Sequence, residues 1–398
     1  MRDPESRQTL KAELDRCVKC GTCLPECPTY RLESDENESP RGRLALIEGL
    51  LSGRLRDDAP LRRHLDNCLT CRRCERVCPS QVRYGYLIDE ARHLLSDHRP
   101  GRLNVLVQHR SLLSWGARLA QAVPAVLSSP LGPLHRLHEL GRALPHGIPA
   151  PRPGDYPADT TTPRGRVGLF LGCASAAQQG GALQAASRLL RRAGFEVSIP
   201  AAAGCCGALS QHSGDSTTAA RLADINRTAF SGGFDTVVST ASGCGIHIDS
   251  YEPPLPSPHQ DIVKFLLDHG RFTCDDFEPL PRRVLLHTPC SIENVYRGAG
   301  WARELLDLIP QIEIVALGEA GQCCGAAGDY MLRRPDAAAR LRQPLLDRIP
   351  AGETLILLTG NVGCAIHLAD GLRARDQAVE VLHPVELLAR QLRGRPTA

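Results

Sequence analysis

Cys17-Val18-Lys19-Cys20-Gly21-Thr22-Cys23-Leu24-Pro25-Glu26-Cys27-Pro28 decides how the first part of this chain is read. Cys68-Leu69-Thr70-Cys71-Arg72-Arg73-Cys74-Glu75-Arg76-Val77-Cys78-Pro79 repeats its spacing. Three cysteines two residues apart can wrap three corners of a cube while backbone N–H groups point at its sulfurs. The proline after the fourth cysteine keeps the chain from continuing as a regular helix. Four-cysteine zinc sites come instead as two well-separated C-x2-C pairs, a poor match. The spacing is that of paired [4Fe–4S] clusters, in which the fourth cysteine of each run ligates the other cluster. One ligand set is then Cys17, Cys20, Cys23 and Cys78; the other is Cys68, Cys71, Cys74 and Cys27. Neither leaves an iron without a cysteine, so the pair suits electron transfer rather than bond chemistry. Lys19, Arg72, Arg73 and Arg76 lie between the ligands, either raising the cluster potentials by their charge or standing as ordinary solvated surface residues.

The bulk numbers agree with a reduced, metal-binding chain. Seventeen cysteines in 398 residues would mean disulfides in a secreted protein. The opening Met1-Arg2-Asp3-Pro4-Glu5-Ser6 has no apolar h-region, which points to the cytoplasm and to thiols kept for metal. A net charge of +3 gives no reason to expect nucleic acid as partner. The nearest approach to a membrane span, residues 112–134, is broken by Arg118, Gln121, Pro124, Pro130 and Pro133. Peripheral membrane contact stays open.

Four segments follow from the pattern. Residues 1–98 form a ferredoxin-type domain with short amphipathic helices, one expected from the Ser39-Pro40 cap through Leu44, Ile47 and Leu51. Residues 99–165 lack cysteine and read as a helical connector with a Pro/Gly/Thr linker at 145–166. Residues 166–280 and 281–398 repeat each other. Apolar runs at 167–173 and 284–290 open the copies. Helical stretches at 183–192 and 301–309 follow, then β-like runs at 195–199 and 312–317. Next come Gly204-Cys205-Cys206-Gly207 and Gln322-Cys323-Cys324-Gly325, each before a long helix. Further apolar runs end in Ser242-Gly243-Cys244 and Val362-Gly363-Cys364, and amphipathic helices at 262–267 and 385–392 close the copies. Alternating strands and helices predict an α/β unit with parallel strands in each copy. The whole is α+β and multidomain: a mostly helical two-cluster domain followed by two repeated α/β units.

Each copy offers a lone Cys, a Cys-Cys-Gly and another Cys: Cys173, Cys205, Cys206 and Cys244, then Cys290, Cys323, Cys324 and Cys364. Adjacent cysteines rarely serve packing, and the Gly permits close backbone approach to a bound group. His247 and His367 follow three residues after the last Cys, as ligands or as ordinary helix residues. Cys274 falls outside the pattern and reads as a structural thiol.

Residues 14–30, ending Cys27-Pro28-Thr29-Tyr30, with Ser39-Pro40-Arg41-Gly42-Arg43 and 64–75, resemble the glycolate oxidase iron–sulfur subunit family. So do Thr240-Ala241-Ser242-Gly243-Cys244-Gly245 and Asn361-Val362-Gly363-Cys364-Ala365-Ile366-His367-Leu368. The resemblance implies a non-catalytic subunit of a bacterial glycolate dehydrogenase. Flavoprotein partner subunits would oxidise glycolate to glyoxylate. This chain, inactive on glycolate alone, would pass electrons singly through two [4Fe–4S] clusters towards a quinone or other acceptor at the inner face of the membrane. No flavin is expected on it, since Gly168, Gly172 and Gly180 do not form G-x-G-x-x-G. The Cys-Cys-Gly copies resemble heterodisulfide reductase subunits, which carry unusual clusters, but end in Cys-x2-His where those end in C-x2-C. A further iron–sulfur cluster at Cys173, Cys205, Cys206, Cys244, Cys290, Cys323, Cys324, Cys364 and His367 is implied on that basis. Two alternatives stay open: the equivalent subunit of a glycerol-3-phosphate or lactate dehydrogenase, and a disulfide reductase acting at a Cys-Cys-Gly cluster.

Overall fold

The computed structural model describes residues 4–95, 148–350 and 355–394. The helical connector expected from residue 99 and the broken apolar stretch 112–134 lie outside the described residues.

Six helices build the N-terminal domain: α1 (Pro4–Asp15), α2 (Pro28–Glu33), α3 (Pro40–Leu51), α4 (Ala59–Asp66), α5 (Arg73–Arg76) and α6 (Tyr84–Leu95). The Ser39-Pro40 start of α3 is formed as read. Ser39 Oγ accepts from the Gly42 N–H at 2.9 Å, and Pro40 takes a first-turn position where no N–H is needed. Gly42 has a steric reason too, because a Cβ there would run into the Glu36 carbonyl. Ile47, Leu65, Leu87 and Ile88 are wholly buried at the centre. Their apolar faces, not helix propensity, hold such short helices together.

The rest of the chain forms two sheets. The first has the order β1–β3–β2–β4–β5: Gly154–Tyr156, Phe195–Ile199, Gly165–Phe170, Thr236–Ser239 and His259–Asp261. The second has the order β7–β6–β8–β9: Glu313–Ala316, Arg283–His287, Leu355–Thr359 and Val379–Leu382. Apart from β1 every pairing is parallel, and β3–β2–β4–β5 matches β7–β6–β8–β9 strand for strand. The sequence repeat is thus a structural repeat. Two features were not read from it. A short fourth strand, β5 or β9, precedes each closing helix. The stretch 145–166 is also more than a linker, since β1 lies antiparallel on β3 with Tyr156 opposite Val197. It covers an edge that would otherwise present unpaired backbone groups.

The two units share one core. Val167, Leu169 and Val238 of the first sheet join Val284, Leu286, Ile356 and Leu358 of the second in a single buried cluster. Helix Gly180–Arg192 packs against Pro384–Gln391, and Ile262–His269 packs against Trp301–Leu306. The closing helix of each unit therefore seals the other.

Buried histidines stitch this assembly. His383 is wholly buried, and its Nε2 lies 2.9 Å from the Thr240 carbonyl of the first unit. His287 is equally buried beside Thr359 Oγ1 at 3.0 Å. Burial pushes both imidazoles down to about 4 from 6.5. Between those values the unfolded chain binds protons that the folded one refuses, so stability falls as pH drops from 6.5 towards 4. Asp261, pushed up to about 6 by burial, opposes this over the lower part of the range. His247 and His367 are lowered to about 4 as well, so urea unfolding followed at pH 7 and pH 5 should show the loss and His383→Gln should remove part of it; a pH-independent midpoint would contradict the assignment.

Candidate metal centres

The two cysteine runs share a left-handed backbone pattern around their second cysteine. Lys19 and Thr70 occupy equivalent places and have φ of 57° and 51°; Gly21 and Arg72 likewise have 83° and 56°. Left-handed residues on either side of the second cysteine turn the loop around its own centre. Three of these four are not glycine, a strain that needs support from elsewhere. Thr70 N–H donates to Cys68 Sγ at 3.4 Å.

Each loop closes a cavity. One is lined by Cys17, Cys20, Cys23 and Cys78, with Cys74 on its wall; the other is lined by Cys27, Cys68, Cys71 and Cys74. Each of the two cavities gathers cysteines from both runs. Pro40, Cys74 and Tyr84 line both cavities, so they share a wall. Among the described residues no three of His, Cys, Asp or Glu gather tightly enough for a single metal ion. Four thiols spread round a cavity suit a cube with several irons instead. Burial raises the thiols of Cys71 and Cys74 well above their ordinary value and Cys23 to about 11. Cys20 is exposed, and a hydrogen bond from Thr22 lowers it. Binding must therefore drive protons off most of these sulfurs.

The basic residues between the ligands are engaged in ion pairs. Arg72 pairs with Glu75 at 2.7 Å, and Lys19, exposed, lies 3.8 Å from Glu48. Arg73 meets Glu26 at 2.5 Å and Glu319 at 3.1 Å; Arg76 meets Glu293 at 2.9 Å. Each charge is answered by a carboxylate, and Arg73 and Arg76 clamp the domain onto the second α/β unit. Lys19 lines the first cavity and Arg72 the second, and the fully buried cation beside a ligand set is one that spacing did not single out, Arg43, which also lines the second cavity and is 1% exposed.

The repeated cysteines all lie beyond the carboxyl ends of the strands, where the strand order places β2 and β6 between crossovers on either side. Open α/β sheets put their sites there. Cys173 Sγ is 3.4 Å from Cys205 Sγ, and Cys324 Sγ is 3.0 Å from Cys364 Sγ. Gly207 and Gly325 have φ of 92° and 86°, and their N–H groups donate to Cys205 and Cys323 at 3.5 and 3.4 Å. A Cβ on Gly325 would stand 2.7 Å from the Ala338 carbonyl. The motif glycine thus gives both the turn and the donor. Between Cys324 and Cys364 the shared hydrogen bond lowers the first thiol and raises the second.

His367 does not join its quartet. Its Nε2 lies 3.1 Å from the Ala338 carbonyl and its Nδ1 3.2 Å from Arg342 Nη1, so both ring nitrogens are engaged in tying two helices together. His247 instead packs edge-on against Tyr251, with ring centroids 5.5 Å apart. Cys274, expected as a packed structural thiol, is exposed on a short 3-10 turn.

The cysteine sets form a sequence in space. Cys71, of the second N-terminal set, packs with Cys290 around Cys323 and Tyr330. Asn294 Nδ2 fixes the Cys71 carbonyl at 2.9 Å. The first unit meets the same domain through Arg92, which donates to the carbonyls of Cys68 at 2.7 Å and His212 at 3.1 Å. The two units meet at Ser242 and Ser291, whose hydroxyls are 2.6 Å apart.

This arrangement defines an iron–sulfur electron carrier, with an N-terminal pair of clusters docked on a double cysteine-rich unit. Residues 13–82 match the 4Fe-4S dicluster domain, and 167–249 and 284–369 each match the cysteine-rich domain. The chain is 30% identical to the "probable glycolate oxidase iron-sulfur subunit" of Bacillus subtilis (strain 168), over 95% of this chain and 94% of that one. It is 29% identical to the glycolate oxidase iron-sulfur subunit of Escherichia coli (strain K12), over 98% and 97%. One subunit of the anaerobic glycerol-3-phosphate dehydrogenase of the same organism is 26% identical over 95% and 98%. The chain belongs to the glycolate oxidase iron–sulfur subunit family. It is the electron-transfer component of an oxidoreductase. No helix among the described residues is long and apolar enough to cross a membrane.

Proposed function

We propose that this chain works in a hetero-oligomer with flavoprotein subunits that oxidise glycolate to glyoxylate. It carries their electrons towards a quinone or another acceptor, in the cytoplasm or at the inner face of the cell membrane. In this reading Cys17, Cys20, Cys23 and Cys78 hold one [4Fe–4S] cluster and Cys27, Cys68, Cys71 and Cys74 the other. When bound, such clusters accept and release electrons one at a time, which a two-electron flavin donor requires. The observation that carries the reading is that Cys71 packs against the buried cluster that contains Cys323 and Tyr330. It continues the route from the second N-terminal set into the quartet Cys290, Cys323, Cys324 and Cys364. That quartet and its copy, Cys173, Cys205, Cys206 and Cys244, are the proposed holders of further iron–sulfur clusters.

The greater identity to glycolate oxidase subunits than to the glycerol-3-phosphate dehydrogenase subunit favours glycolate as the donor's substrate. Anaerobic purification with associated flavoproteins tests it. Glycolate should reduce the clusters in the complex, seen as EPR signals, and leave the isolated chain unchanged. Reduction by glycerol-3-phosphate or lactate but not glycolate would overturn the choice of substrate. Glycolate oxidation by the isolated chain would overturn the division of labour.

A further inference from the structure

The Cys27, Cys68, Cys71 and Cys74 cavity differs from its twin in what stands behind one ligand. Thr29 Oγ1 lies 3.2 Å from Cys27 Sγ, and Arg43 Nη1 donates to that hydroxyl oxygen at 3.0 Å. The residue equivalent to Thr29 after Cys78 is Ser80. There the nearby guanidinium belongs to Arg16, which is half-exposed and reaches the Ser80 carbonyl at 2.9 Å. We propose that Arg43 and Thr29 form a polarised donor chain to the Cys27 sulfur, and that this chain raises the reduction potential of the cluster held with Cys68, Cys71 and Cys74. The inference rests on that ligand set.

Hydrogen accounting supports it. Thr29 has one hydroxyl hydrogen, which it donates to the Glu38 carbonyl at 2.7 Å while Cys27 is a thiol. That carbonyl already accepts from Arg43 Nη1 at 2.7 Å. The hydroxyl hydrogen can therefore turn to the Cys27 thiolate without leaving a buried acceptor unmet. Arg43 donating into Thr29 Oγ1 strengthens the onward bond, as consecutive hydrogen bonds polarise one another.

Charge placement acts in the same sense. The Glu38 carboxylate pairs with Arg43 Nη2 and is itself held by His64 Nδ1 at 2.7 Å and Asn67 Nδ2 at 2.9 Å. Arg43 Nη1 is the nitrogen that serves Thr29, so the sulfur is linked through that hydroxyl to the positive member of a buried pair. Burial resists adding an electron to an already anionic site. A donor chain aimed at a ligand sulfur offsets that resistance, because hydrogen bonds to cluster sulfurs are among the determinants of potential. The consequence is a site that accepts electrons readily from its more exposed neighbour.

The test is an EPR-monitored redox titration of the anaerobically purified full chain, with iron and sulfide measured on every sample. In Thr29→Val one N-terminal midpoint potential should fall while the other holds; Thr29→Ser, which keeps the hydroxyl, should match wild type. The charge-balanced Arg43→Gln/Glu38→Gln double variant should lower the same potential. Unchanged potentials in Thr29→Val at full iron content would overturn the proposal. So would loss of iron in Thr29→Val combined with unchanged potentials in the double variant. Wild-type protein lacking iron for two clusters would overturn the ligand reading instead.

Discussion

Replacing Cys78 by alanine should abolish the cluster of the other run and spare that of its own. Cys78 lines the cavity of Cys17, Cys20 and Cys23, whereas its sequence neighbours Cys68 and Cys71 line the second cavity with Cys27. Cys78→Ala and Cys20→Ala should therefore lose the same EPR signal, and Cys27→Ala and Cys71→Ala the other. Iron in the N-terminal domain should fall by about half in each, since each set closes one cube. Transfer from donor to acceptor should be lost in all four, because the relay has no bypass past a missing member. Pairing Cys78→Ala with Cys71→Ala instead would mean that each run holds its own cluster. The shared wall of Pro40, Cys74 and Tyr84 predicts a second effect: magnetic coupling between the reduced clusters in wild type, absent from each single variant.

Glu38→Gln should destabilise the N-terminal domain by about 3–5 kcal/mol, the usual consequence of stranding one member of a buried ion pair. Glu38 and Arg43 are 5% and 1% exposed, so the guanidinium would lose its carboxylate partner away from water. Its other donors reach only neutral oxygens, at Thr29, His64 and Glu38 itself. Arg43 is also the strut joining the Glu36–Glu38 turn, α2 and the end of α4, so the loss should propagate to both ligand sets. Denaturant unfolding of the iron-loaded protein measures it. A change below about 1 kcal/mol, typical of an exposed pair, would show that water reaches the site. The double variant used for the potentials removes both charges and should recover most of the lost stability.

Which parts were legible depended on whether the signal was local. The cysteine runs, the Ser39-Pro40 cap and the repeat could be read because ligand spacing, a helix start and strand–helix alternation are written within a few residues of one another. Two signals were incomplete. Arginines between ligands read as free positive charges, whereas Glu26, Glu293 and Glu319, all distant in the chain, answer two of them. His367 looked like a ligand because it sits three residues after Cys364. On a helix that spacing leaves its direction to packing, and Ala338 and Arg342 claimed its nitrogens. Arg43 stood out only as part of Ser39-Pro40-Arg41-Gly42-Arg43. Nothing local distinguishes a buried arginine from an exposed one, although its place on the face of Leu44 and Ile47 in α3 was a usable hint.

The sequence by itself therefore determined the N-terminal ligand sets as a chemical expectation, the double α/β unit and the electron-carrying role. Each rests on spacings that physical chemistry restricts to few outcomes. Tertiary structure alone decided which cysteines stand next to which. Cys71 packs on the cluster that holds Cys323 because Arg73, Arg76 and Asn294 bring surfaces together that lie more than two hundred residues apart. It also decided that the two cysteine-rich units share one core, because helix Pro384–Gln391 finds its apolar partner on the opposite unit. Contacts of that range depend on the shape of whole surfaces, which no single stretch of residues encodes.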